Sequence, residues 1–446
     1  MSRAEPLKPM YDFSSAPEVT RLFRGELTLF WEGGSQASLA EVLLKFIPVP
    51  QISIESGVSG LPALPLNLLL NHRPGITYSL DGQEMQGLVK SFNFDFGSCA
   101  RLHLIPSAEP FQVHGDMQSM TSVAAIFHLF NFPDFRGGQH QEAAPAGCAL
   151  LLLESEEWRT SIQELPGGAT REAWDRIKAE GGCFLTHMVK LERKDGKPFS
   201  GVDAGEQCCL LNNFLSFIKG GKCSPVCGVG LDASGVETWK TFASPHVVKP
   251  PYSWLNPFKA SQAELLFPLF AKRWQQSEEW KDCLRVAIYW YGQANTSGGS
   301  PGIDAAIILS QSALERLAHH YLVVDRKMIS GKGFDDLRAS DRLRMLFSVC
   351  GIPNEITNAT PDIQRVNDGF RKEAKWMDAP HAIADIRNSL VHPVTKKKVN
   401  ECYVDAWKLS LWYLELSLLA LCGYDNTYTS RLTAKYVTDS EKVPWM

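Results

Sequence analysis

The stretch Ser244-Pro245-His246-Val247-Val248-Lys249-Pro250-Pro251-Tyr252-Ser253-Trp254-Leu255-Asn256-Pro257 divides the chain into two unlike halves. Its four prolines lack amide donors and clash with a preceding helical turn, so no helix runs through it. Before it, apolar residues recur at the spacing of strands; after it, at the spacing of helices. The expectation is an α+β chain. A β-rich region over 1–250, sandwich or barrel-like with some helices, is followed by a linker and lead-in over 251–273 and an all-α bundle over 274–446. A chain of 446 residues is too long for one core, which points to two or three domains.

Upstream, short runs of β-formers end in turn residues. Leu27 to Glu32 is closed by Gly33-Gly34, and Ile52 to Glu55 is broken by Gly57 to Pro65. Ile76 to Leu80 ends at Asp81-Gly82, a strong hairpin turn. Phe92-Asn93-Phe94-Asp95-Phe96 alternates aromatic and polar residues, as a half-buried strand does. Ala100 to Ile105 and Ala149 to Glu154 continue the pattern, suggesting a sandwich or barrel of about 150 residues. Arg171 to Glu180 and Cys208 to Lys219 read as helices. Cys227 to Leu231 and Val236 to Phe242 read as a hairpin around Asp232-Ala233-Ser234-Gly235.

Downstream, six segments have helical spacing: Glu278 to Gln293, Ile303 to Leu322, Ser340 to Val349, Ile363 to Trp376, His381 to His392 and Val399 to Cys422. Short loops between them predict a compact bundle. The last is apolar around most of its circumference, with Trp407, Leu411, Trp412, Leu414, Leu416, Leu418, Leu419 and Leu421. It must be buried on more than one side, which suggests a homodimer in which a second copy covers what the bundle does not.

Composition narrows the class. A hydrophobic content of 44%, a charged content of 21% and a net charge of -4 are ordinary for a soluble globular protein and exclude a protein that coats nucleic acid. The N-terminus lacks a signal-peptide core, and Leu409 to Cys422 is too short to span a bilayer and holds Glu415. A cytoplasmic location with reduced cysteines is the expectation. Cys223 and Cys227, with Cys208-Cys209, His187 and His246 elsewhere, raise the idea of a zinc site. The adjoining Gly220-Gly221-Lys222 and Ser224-Pro225 favour turn chemistry and buried thiols instead. The sequence calls for no metal and no cofactor, and it has no phosphate-binding loop, dinucleotide fingerprint or metalloprotease motif.

Candidate chemistry lies in Arg387-Asn388-Ser389-Leu390-Val391-His392, followed at once by Pro393. Histidine can take a proton from a ribose 2′-hydroxyl near neutral pH. Arginine can grip a phosphate through paired hydrogen bonds and neutralise the charge of a phosphorane. Because RNA supplies its own nucleophile, these groups suffice without a metal. Proline disfavours the helical conformation at His392, which should sit at or just past the helix end. Arg387 lies roughly 140° around an ideal helix from it, so the pair does not share one face.

Arg, a polar residue and His at this spacing resemble the HEPN superfamily, whose ribonucleases carry the motif on one helix of an all-α domain. Ala313-Leu314-Glu315-Arg316-Leu317-Ala318 looks like that family's second helix. The run from Ser340 through Phe347 to Gly351-Ile352-Pro353 is similar to the middle helix of Apea-like HEPN proteins of phage defence. The likeness covers roughly the last 170 residues. It implies an HEPN-like bundle, a metal-independent endoribonuclease and a composite site in which two motifs meet across a homodimer. Val394 stands where HEPN toxins paired with a nucleotidyltransferase antitoxin carry Tyr, which speaks against control by modification there.

On this reading His392 is the general base or acid, Arg387 the phosphate clamp and Asn388 an orienting group, unless that amide simply faces solvent. Lys396, Lys397 and Lys398 either hold RNA phosphates or form a solvated loop. Glu315 is either an assisting group or half of a surface pair with Arg316 or His319. The expected activity is cleavage of cellular RNA, tRNA among the candidates, to a 2′,3′-cyclic phosphate and a 5′-hydroxyl. Its setting would be abortive infection, with the N-terminal region receiving a phage-derived trigger. The rival reading is a catalytically inert HEPN dimerisation or binding scaffold.

Overall fold

The computed structural model describes residues 5–13, 18–32, 34–59, 75–94, 99–139, 142, 144–145, 148–166, 169–246, 252–298, 302–372, 375–392 and 399–446. Six strands come first: β1 (Val19–Trp31), β2 (Gly34–Lys45), β3 (Gln51–Ser59), β4 (Gly75–Leu80), β5 (Gln83–Phe94) and β6 (Cys99–Pro106). They close into an antiparallel barrel in the order β1-β2-β3-β6-β5-β4. Alternation decides which side chains fill it. Leu27 and Leu29, Val42 and Leu44, Ile52 and Ile54, Tyr78 and Leu80, and Leu102 and Leu104 are all buried. Asp81 and Gly82 turn the β4–β5 hairpin at φ 50° and 83°, as expected of that dipeptide. Gly57 does not break β3; it pairs with Arg101 inside the ladder.

A second β unit follows the barrel. Its strands are β7 (Phe111–His114), β8 (Thr121–Ser122), β9 (Ala124–Phe130), β10 (Leu150–Glu154), β11 (Trp158–Glu164), β12 (Leu185–Arg193), β13 (Phe199–Ser200), β14 (Val226–Leu231) and β15 (Glu237–Phe242). Seven of them form one sheet in the order β10-β11-β12-β9-β14-β15-β7. Central β9, AAIFHLF, is buried along its whole length because both faces are covered. Two helices accompany the sheet, α1 (Ala169–Glu180) and α2 (Gly201–Lys219). Helix α2 begins well before Cys208 because Ser200 and Asp203 make a reciprocal capping box, and it ends at Gly220 with φ 77°.

The remainder is helical apart from a short strand pair, Thr427–Tyr428 with Glu441–Lys442: α3 (Ser261–Trp274), α4 (Glu278–Ser297), α5 (Ile303–His319), α6 (Gly331–Asp335), α7 (Ala339–Val349), α8 (Pro361–Gly369), α9 (Ala379–Val391) and α10 (Tyr403–Cys422). A π turn, His320–Asp325, extends α5. The segment read as a linker is partly structural core. Trp254 has no exposed surface, and α3 packs against α2 and β10. Helix α8 stops at Gly369 instead of reaching Trp376, where Phe370 turns extended and Trp376 returns to the core, its indole donating to Asp385 at 2.8 Å.

Packing does not respect the proline-rich boundary. One hydrophobic core runs from residues of the sheet through α2 into the helical bundle; a second joins barrel and sheet. Phe217 of α2 contacts both Trp254 and Tyr291 of α4, with ring centres 5.3 and 5.6 Å away. The same chain encloses α10, whose residues Leu409 to Leu419 are all buried. Its apolar circumference therefore gives no reason for a second copy, and that argument for a homodimer falls. No helix among the described residues is long and apolar enough to cross a membrane.

Candidate active site

Helix α9 is set firmly at its start. Asp378 caps it by accepting from the His381 amide at 2.9 Å and also takes two hydrogen bonds from Arg344 of α7, at 2.5 and 3.0 Å. Pro380 stands in the first turn, where a missing amide costs nothing. Ala382, Ile383 and Ile386 face the core, and Gln311 of α5 donates to the Ile383 carbonyl at 2.6 Å. These contacts fix the rotation of the helix and so the direction of its last two turns. Asp378 and Arg344 escaped the sequence reading, although an Asp before Ala-Pro is a helix-start signal.

At the other end the helix stops after Val391, and His392 adopts φ −113° and ψ 106°. That extended conformation is the one expected of a residue before proline. His392 is exposed, and its amide donates to the Asn388 carbonyl at 2.8 Å. Arg387 is half-buried and donates through Nη1 to the Asn388 side-chain oxygen at 3.2 Å. Asn388 thus touches both flanking members of the motif, the guanidinium through its side chain and the histidine through its backbone. The Arg387 Nε is buried and has no hydrogen-bond partner among the described residues, nor does any described carboxylate pair with this arginine. Leaving such a donor unmet costs about 1–3 kcal/mol.

Other expected participants stand apart. The carboxylate of Glu315 pairs with Arg342 at 3.4 Å, joining α5 to α7, and not with Arg316 or His319. Arg316 pairs with Asp282 of α4, while His319 lies edge-on to Phe334. Lys396, Lys397 and Lys398 fall outside the described residues, as do Pro393 and Val394. Cys223 and Cys227 are both buried, and loss of hydration pushes the Cys227 thiol up to about 12. His187 Nε2 lies 3.7 Å from an Asp134 oxygen. Among the described residues no group of three His, Cys, Asp or Glu side chains is placed to hold a metal ion.

Residues 277–442 match the YopA C-terminal domain and residues 117–253 the YopA central domain. The first stretch corresponds to the helical bundle from α4 onward and the second to six strands of the seven-stranded sheet, β7 excepted, with its helices; the barrel lies outside both. The SPbeta prophage-derived uncharacterized protein YopA of Bacillus subtilis (strain 168) is 25% identical over 455 residues. That alignment covers 96% of this chain and 95% of the relative. No solved structure matches.

Proposed function

We propose that the chain is a metal-independent endoribonuclease of HEPN type, acting on cellular RNA as an effector of antiviral defence. The observation that carries this reading is the state of Arg387. A half-buried guanidinium with no carboxylate partner among the described residues, held by Asn388 five residues before an exposed histidine, suits capture of a phosphate better than a structural ion pair. In the proposed reaction His392 removes the 2′-hydroxyl proton, the freed oxygen attacks the neighbouring phosphorus, and the P–O5′ bond breaks. The leaving 5′-oxygen takes up a proton, leaving a 2′,3′-cyclic phosphate. Arg387 stabilises the charge on the non-bridging oxygens.

One imidazole serves as base or acid at a time, so a second motif from another copy would complete the pair. The dimer is part of the proposal, and its contact surface is sought on the face of α9 and not on the enclosed α10. The Bacillus relative is described as prophage-derived, a setting that fits competition between phage and host.

The test is incubation of purified protein with total tRNA and with cellular RNA in EDTA. Wild type should yield cyclic-phosphate ends, and Arg387→Ala and His392→Ala should not. Equal cleavage by all three, or wild type as inert as the variants in cells where its expression is equally harmless, would reject the nuclease.

A further inference from the structure

A groove of about 270 Å³ runs between α2 and α4, and no residue of α9 lines it. Asn213 of α2 stands on one wall, Arg285, Tyr289 and Gln293 of α4 on the other, with Lys222 on the loop that follows α2. Among the described residues no carboxylate lines it. Its aromatic ring is open to solvent, since Tyr289 is 57% exposed, and Arg285 and Lys222 are exposed as well. Spacing explains the wall on α4: residues four apart stack along one helix face, so Lys281, Arg285, Tyr289 and Gln293 form a single row. At 1.5 Å per residue that row is about 18 Å long, which suits a strand better than a lone ion.

The polar groups of the groove are largely free. The Lys222 ammonium, the Tyr289 hydroxyl and the Gln293 side-chain amide make no hydrogen bond among the described residues. Asn213 donates its side-chain nitrogen to the Cys209 carbonyl at 2.8 Å, which leaves its oxygen as an acceptor. Glu109, whose charge reaches Lys222, lies outside this groove and accepts from the Ser244 amide and hydroxyl. Arg285 donates to one oxygen of Asp282 at 2.6 Å, but Arg316 binds the other oxygen. Two guanidiniums against one carboxylate leave a net positive charge there. Lys281 adds none, because it pairs with Glu278 at 3.2 Å.

We propose that this groove holds a single-stranded segment of RNA away from the cleavage motif, a reading that rests on the nuclease proposal for the choice of RNA. One base stacks on the Tyr289 ring, the phosphates beside it lie against Arg285 and Lys222, and Gln293 and Asn213 meet base edges. Cations alone would take any polyanion. The open ring adds a preference for unpaired bases, whose faces a duplex keeps stacked on one another.

Fluorescence anisotropy with a short labelled RNA of mixed sequence tests the groove, in EDTA and with full-length His392→Ala protein so that the strand is not consumed. Binding should saturate, and polyphosphate and a matched RNA duplex should each compete at least tenfold more weakly than the unlabelled strand. Adding Tyr289→Ala should weaken binding about tenfold, near the loss of one stacked base. Adding Lys222→Ala with Arg285→Gln should weaken it similarly and flatten its salt dependence. All three positions are exposed, so circular dichroism should not change. Undiminished binding in the Tyr289→Ala protein, or competition by polyphosphate or duplex as strong as by the single strand, would overturn the assignment. Wild type that binds RNA through Tyr289 and leaves it uncut would reject the nuclease and keep the groove; cleavage without any dependence of binding on Tyr289 would do the reverse.

Discussion

Arg431 reaches back from the C-terminal tail and grips the carboxylate of Glu415 with two nitrogens, where Glu415 has no exposed surface at all. The Tyr291 hydroxyl donates to the same carboxylate at 2.6 Å, and Arg431 also reaches the Asn295 side chain at 3.3 Å. Through Asn295 the network continues to the end of α2. Four parts of the chain, namely α2, α4, α10 and the tail, are thereby fastened around one buried charge.

Breaking that pair from one side should be severe. Arg431→Met removes the cation that pairs with the buried Glu415 carboxylate, which costs about 3–5 kcal/mol. Adding Glu415→Leu removes the stranded charge and should recover most of the loss. Denaturant unfolding of the two variants checks this. A double variant no more stable than Arg431→Met would mean the network is not held by charge pairing.

Arg387→Lys separates clamp from charge. Lysine keeps the cation but loses the planar fork, so RNA cleavage should fall about 100-fold, near the effect of deleting one transition-state donor. Because His392 is exposed, His392→Ala should change folding stability by less than about 0.5 kcal/mol. Cleavage assays beside melting curves decide between catalysis and scaffold. The inert scaffold would show both variants as harmless.

Acid should weaken the fold before the carboxylates titrate. His128 is fully buried, with Nδ1 donating to the Cys227 carbonyl at 3.0 Å and Nε2 accepting from the Met10 amide at 3.1 Å. Burial lowers its pKa from 6.5 to about 4, and burial likewise lowers His187 to about 3. Both are depressed, so the unfolded chain binds protons first. The stability they hold is complete above pH 6.5 and declines as pH falls toward 4. His128 alone accounts for about 3 kcal/mol. His128→Asn, measured by unfolding between pH 7 and 4, should flatten that slope; an unchanged slope would exclude the histidine.

Thiol chemistry offers a fourth check. Burial raises Cys227, Cys283 and Cys402 to about 12, and it raises Cys223 too. Iodoacetamide at pH 8 should leave Cys223 and Cys227 unlabelled in the native protein and label them fully in denaturant. Labelling of both in the native state, or protection that a chelator abolishes, would revive a metal-bound reading.

Periodicity made most elements legible. The hairpin turn Asp81-Gly82, the strand pair around Asp232 to Gly235, and five of the six predicted bundle helices are local patterns that packing did not override. Helix α3 went unseen because Pro257 and Pro268 masked it, though Pro268 is tolerated within the helix. Glu264, on that helix, is drawn into the fold by accepting from the Gln139 and Leu152 amides, partners more than a hundred residues away in sequence. The motif on α9 was readable as residue types, while the burial of the Arg387 Nε was not.

What the chain's order of residues decided alone was most of the bundle helices, several of the strands and the position of His392 just past a helix end, because dihedral preference and side-chain period act over a few residues. Tertiary structure decided that the first half is a closed barrel plus a separate sheet, since strand order depends on pairings far apart in sequence. It decided that α10 is enclosed by its own chain and that Glu415 of that helix meets Arg431 of the tail. Burial and proximity are properties of the packed whole, and no local pattern encodes them.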